Sequence, residues 1–209
     1  MMRRKLFIII FLLQALIVSA GTPYSSFFSR IRLGAEWGYS QCFFRAWNYN
    51  FISQEGSRFY ENSADLYLQP NGILMLQAGV DLGQDRFNIG LSAGYIGVGK
   101  DNRVFPLLLR IAYFPVTTHS EGPFLHVQGG PAMHLHPVWR KPAWMGAAGA
   151  GYRICLSDEL NLDLLAGIKY LYDHPVIPNP EGPGNVPERN IRKNDAGYCA
   201  LDLTVAISF

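Results

Sequence analysis

The chain has 209 residues, of which 49% are hydrophobic and only 16% charged, with 21 glycines and a formal net charge of +2. That balance excludes an electrostatically driven nucleic-acid partner, and the charge density is low for a soluble exported domain of this size. Three cysteines, Cys42, Cys155 and Cys199, are an odd set and cannot form a closed disulfide framework.

In chain order, the first element is an export signal. Arg3, Arg4 and Lys5 precede the apolar run Leu6 to Val18, which is too short to span a membrane but suits a signal-peptide core. Val18 and Ala20 supply small residues before an expected cleavage at Ala20–Gly21, and no cysteine follows to carry a lipid anchor. We therefore expect residues 1–20 to be removed and 21–209 to form one domain. Subtracting the three signal cations from +2 leaves the mature part near −1. Beyond the signal no window approaches the ~18 apolar residues of a transmembrane helix.

Eight segments then alternate with the period of two that marks half-buried strands. They run over about Arg30–Gln41, Gly72–Leu82, Phe87–Gly97, Val104–Phe114, Pro123–Pro131, Ala143–Ile154, Leu160–Tyr172, and the last stretch, "GYCALDLTVAISF". Tight connections at 83–86 and 155–159, and a moderately short one at 115–122, alternate with 42–71, a short 97–103, 133–142 and the proline-rich 173–196. An even number of meandering strands with short turns at one end is the pattern of an outer-membrane barrel with periplasmic termini.

A soluble barrel or sandwich would turn the same apolar face inward and cover the other with Lys, Glu and Thr. Here the second face is mostly Gly, Ala, Ser and Asn, which suits the cramped interior of a narrow eight-stranded barrel. Its ionic residues balance: Arg32, Arg110, Arg153 and Lys169 face the same way as Glu36, Asp81, Asp163 and Asp202. Charges withdrawn from water need partners, so an ionic cluster inside the barrel is expected, with all but Lys169 toward the periplasmic end. On the apolar face, Trp37, Tyr39, Tyr95, Phe105, Trp144, Tyr170 and Tyr172 fall at the long-loop ends, and Phe87, Tyr113, Tyr152 and Phe209 at the short-turn ends. Two such belts are expected where rings meet lipid headgroups.

The signal, the eight alternating strands and the terminal "LTVAISF" resemble the small outer-membrane β-barrel proteins of the OmpA/OmpX-like, porin-family type. The resemblance is one of pattern over the whole mature chain. It implies that Phe209 and the alternating residues before it are the signal read by the barrel-assembly machinery. An envelope-tethering role is not among what it implies, as no peptidoglycan-binding domain is expected behind the barrel.

Chemistry is sparse. His134 and His136 on one extended segment, with His174 nearby, have the residue type for a metal site but no Cys or carboxylate at ligand spacing, and solvated rim histidines are the expectation. His126 is the nearest candidate for a lipid A-modifying site, yet Gln128, not a serine, stands two residues on, and both point into the lumen. A hydroxyl nucleophile needs a base within reach, and no Ser/His/acid set converges on the strands, which leaves the loop residues His134, His174 and Ser63 as the alternative place for acyltransferase-like chemistry. Met75, Leu108, Met145, Leu165 and the ions should fill an eight-stranded interior, which argues against a solute pore. Phe43, Phe44, Trp47, Phe51, Phe59 and Tyr60 in the first loop either extend strands, pack on themselves or offer a contact surface. Cys42 and Cys199 face opposite sides by parity, so no disulfide is expected between them.

The sequence thus reads as an all-β, eight-stranded antiparallel up-and-down transmembrane barrel with a filled polar interior. No catalytic residue, cofactor or metal is assigned. The expected surroundings are outer-membrane lipid and lipopolysaccharide, the assembly machinery, and an envelope or host protein met through the loops. A lipid A acyltransferase or deacylase and an accessory subunit of an outer-membrane transport or secretion complex are the alternatives.

Overall fold

The computed structural model describes residues 30–53, 55–82, 85–99, 103–135, 141–157 and 159–209. The signal segment 1–20 and its cleavage site lie outside the described residues. Eight strands, β1 (Ile31–Ile52), β2 (Arg58–Leu82), β3 (Phe87–Gly97), β4 (Arg103–Tyr113), β5 (Gly122–His134), β6 (Ala143–Cys155), β7 (Asn161–Asp173) and β8 (Ile191–Ser208), close in sequence order into an antiparallel barrel. The seam is the pairing of β1 with β8, from Gly34 opposite Ser208 to Phe51 opposite Ile191. Phe209 extends it, exchanging backbone bonds of 2.9 Å with Leu33 in both directions.

Alternation explains the wall. In β4, buried Val104, Pro106, Leu108, Arg110 and Ala112 interleave with exposed Phe105, Leu107, Leu109, Ile111 and Tyr113. The apolar set thus faces outward and the mixed set inward. The same outward rows continue through Leu74 and Leu76, Leu125 and Val127, and Leu201 and Leu203.

Three strands are much longer than their sequence pattern suggests. The expected first loop, 42–71, is instead the upper half of a hairpin whose strands run on to Ile52 and back from Arg58, with Ser53 N–H bonded to Ser57 O at 2.7 Å beyond them. β8 likewise starts at Ile191. Since β3 pairs with β2 only from Ile73 downward, β8, β1 and β2 project beyond the other strands as a small sheet. The register shifts between Cys42 and Phe44, and such a bulge flips the parity of every residue after it. Up to Cys42 the even-numbered residues face in; beyond Phe44, Arg45, Trp47 and Tyr49 face in, opposite Tyr198, Ala196 and Asn194.

Candidate functional site

The lumen holds the buried ionisable side chains, and β1 organises them in tiers. Arg32, Glu36 and Ser40 share its inward face at four-residue spacing, roughly 13 Å apart along the strand. Nearest the short turns, Arg32 Nε donates to Asp81 Oδ2 at 2.9 Å. Asp81 also accepts from Asn88 Nδ2 at 2.7 Å and Thr118 Oγ1 at 2.8 Å. In the next tier Glu36 lies 3.5 Å from Arg110 Nη1 and accepts from Thr204 Oγ1 at 2.7 Å and from Gln77 Nε2. Arg153 grips Asp163 with two bonds of 2.7 Å, lays its guanidinium 4.5 Å from the Phe114 ring centre, and donates to the Thr118 carbonyl. Lys169 Nζ lies 3.0 Å from Asp202 Oδ1 and donates to Ser40 Oγ at 2.9 Å.

Arg32, Glu36, Asp81, Arg110, Arg153, Asp163 and Asp202 therefore all face the lumen, but as separate pairs. Asp202 belongs with Lys169 in the tier farthest from the short turns, so the ions are spread more evenly than an end cluster. Four positive and four negative side chains make the tiers neutral. Neutrality matters because an unpaired ion withdrawn from water costs several kcal/mol, on the order of 3–5 when a partner is removed.

Residues that strand alternation does not reveal complete the site. The connection after β4 folds back into the barrel: Thr118 is fully buried, its N–H bonds to Asp85 O at 2.6 Å, and Phe114 stacks on Phe124 with ring centres 4.7 Å apart. His119 accepts from Arg32 Nη2 at 2.6 Å. Turns carry no periodic signal, so this plug was not legible. Gln77, Asn88 and Thr204 were, since each sits at an inward position of its strand.

Above Ser40 the lumen changes character. Cys42, Met75, Leu108, Met145, Leu171, Tyr198 and their neighbours form an apolar layer across the bore. The interior is thus mixed, with ion pairs toward the short turns, this apolar layer above them and the buried His134–Asp173 pair near the loop end. Two cavities between the tiers, of about 30 and about 10 Å³, have room for single waters at most.

The loop end is covered. Trp47, Tyr49 and Phe51 stack in series onto Phe59, with successive ring centres 4.8, 6.2 and 5.0 Å apart. Phe51 packs with Ile177 and Val186 of the β7–β8 connection, and Trp47 Nε1 donates to Asn194 Oδ1 at 3.0 Å. Of the first-loop aromatics, Trp47, Phe51 and Phe59 extend strands and, with Tyr49, pack on one another over the bore. Tyr49 donates to Glu61, and this bond to a carboxylate, with some desolvation, pushes its phenol up to about 12.

His134 is buried, its Nε2 2.8 Å from Asp173 Oδ1, so it is a partnered lumen group and not a solvated rim histidine. His174 Nδ1 donates to the Asn194 carbonyl at 2.5 Å and lies 3.5 Å from Asp195. His136 lies outside the described residues. No group of three or more His, Cys, Asp and Glu able to hold a metal occurs among the described residues. His126 packs beside Phe124 and over Gly149, facing the lumen. The three cysteines are free thiols.

Of the aromatic belt, Trp144 and Tyr172 face each other across β6 and β7, with Tyr170 exposed beside them and Tyr95 half-buried. Trp37 and Tyr39 are exposed but lie opposite Val205 and Leu203, part-way up a strand that continues to Ile52. They only looked terminal because the first strand was read as ending at Gln41.

Among solved structures the chain is similar to the outer membrane protein OprG of Pseudomonas aeruginosa. Identity is 11% over 85% of this chain and 95% of that one, with a TM-score of 0.49. It is also similar to the outer membrane protease OmpT of Escherichia coli, 9% identical over 90% of this chain and 99% of that one, with a TM-score of 0.41. No family model matches the chain, and no curated protein matches it by sequence.

Proposed function

We propose that this protein is a non-catalytic, closed outer-membrane barrel of a Gram-negative envelope, with periplasmic termini, whose loop side makes its contacts. The observation that carries the reading is the inverted wall: Leu76, Leu91, Leu109, Leu125, Ile168 and Leu203 point outward around the barrel while ion pairs fill the bore. Each such side chain is worth about 1.5–3 kcal/mol when withdrawn from water, so a continuous exposed band of them calls for lipid. Membrane fractionation and heat-dependent migration on gels test the placement. Recovery as a soluble periplasmic protein would end this reading. In planar bilayers the filled bore predicts no large stable conductance, and lipid A from a deletion strain should keep its mass spectrum.

Phe209, bonded to Leu33 and exposed on the apolar face, is read as the residue presented to the barrel-assembly machinery. Deleting it should lower the inserted fraction.

One observation favours an accessory-subunit role. Beyond Ile73 the far edge of β2 has no strand neighbour among the described residues, and Tyr60, Leu66 and Leu68 are exposed along it. An open edge invites an added strand. A photocrosslinker at Leu66 in native membranes should then capture an envelope protein, and repeated empty captures would leave only the loop-contact role.

A further inference from the structure

At the loop end, the β7–β8 connection and the start of β8 enclose a cavity of about 380 Å³, within the size range of small-molecule sites. Its floor is rigid. Val186 N–H bonds to Ile177 O at 2.9 Å and Asn179 N–H to Gly184 O at 3.0 Å, while both floor side chains are buried against Phe51. Asn194 Nδ2 holds the Pro175 carbonyl from the other side. The connection, which its prolines suggested would be irregular, is thus a braced platform that needs no ordering to bind.

The walls carry an unspent charge. Lys141, Arg192 and Lys193 line the cavity together with His174, Glu188 and Asp195. Asp195 is already occupied: Tyr172 donates to it at 2.6 Å, His174 lies at 3.5 Å and Lys193 at 3.9 Å. Among the described residues neither Lys141 nor Arg192 has an ion-pair partner, and both are exposed. Two exposed cations lining one cavity fit a phosphate, for which a guanidinium offers paired donors. The accessible apolar lining of Val176 and Ile191 fits the flat face of a sugar ring, and Glu188 can take a hydroxyl.

We propose that this cavity binds a phosphorylated saccharide, either as a free sugar phosphate or as the headgroup of an outer-leaflet glycolipid. The proposal deepens the loop-contact role above and rests on it only for the glycolipid source. The test uses the full chain in a non-glycosidic detergent, titrated calorimetrically with glucose 6-phosphate, glucose and inorganic phosphate. A parallel arm uses intact and dephosphorylated lipopolysaccharide. Expected is saturable binding of glucose 6-phosphate or of intact lipopolysaccharide, at least tenfold weaker for each dephosphorylated counterpart and for inorganic phosphate. The K141Q/R192Q double variant should lose at least tenfold in affinity with its unfolding midpoint unchanged. Whichever of the two ligands binds identifies the source. Equal binding of glucose, equal binding of inorganic phosphate, an unaffected double variant, or no binding in either arm would each overturn the site. Because the titration needs no bilayer, its failure would leave the fractionation result standing.

Discussion

The two halves of the lumen are enclosed by the same eight strands, yet one is filled mainly by ion pairs and the other mainly by aliphatic and aromatic side chains. The boundary falls between Ser40 and Cys42 on β1. Toward the short turns, every charge has an opposite partner and the small residues around them leave space for long side chains. Toward the loops, Met75, Leu108, Met145 and Leu171 need no partners and pack by shape. The comparison teaches that a narrow bore can be sealed by either chemistry, but the two should fail differently. Ion pairs are intolerant of losing one member and tolerant of losing both. An apolar layer responds in proportion to the volume removed.

The largest contrast should come from Asp163→Ala, which leaves Arg153 buried beside Phe114 without its carboxylate. We expect a loss of about 3–5 kcal/mol in urea unfolding from lipid or micelles. The double variant R153M/D163L should recover most of it. If both proteins are equally weakened, the ion-pair half does not behave as described. In the apolar half, Leu108→Ala should cost about 2–5 kcal/mol, and no second polar substitution should restore it. Rescue of L108A by a partner carboxylate would erase the distinction between the halves.

A smaller effect tests how tightly the ionic half is built. A Cβ added at Gly151 would run into the Phe124 ring, so Gly151→Val should cost about 1–3 kcal/mol and be relieved by Phe124→Leu. An additive double variant would show that the two positions do not meet. Least disruptive is the Tyr49–Glu61 bond outside the barrel wall. Its folded-state phenol pKa is raised to about 12 from 10, so its contribution is fully present below pH 10 and fades as pH rises toward 12. Ultraviolet titration should show two tyrosines, Tyr49 and Tyr172, ionising late in the wild type and only one in Glu61→Gln. An unchanged titration curve would remove this bond from the account.

Much of the wall was legible because a strand's side-chain period is two and local: eight alternating segments specify eight strands and which residues share a face. The same period puts Arg32, Arg110, Arg153 and their acids on the inner side of their strands. Pairing was not legible. Which acid meets which base depends on strand register and shear, so Asp202 joins Lys169 and not the arginines. The bulge at Cys42–Phe44 was also hidden, because one inserted residue reverses the alternation beyond it. Read without it, Trp47, Tyr49 and Phe51 lose their face, and the long hairpin looks like a loop. The plug at Thr118 and the braced cavity over Ile177 and Val186 lie in turns, where no period exists to read. Local alternation therefore determined the barrel and its inside-out polarity, while contacts between residues distant in sequence decided what closes its two ends and where a ligand could sit.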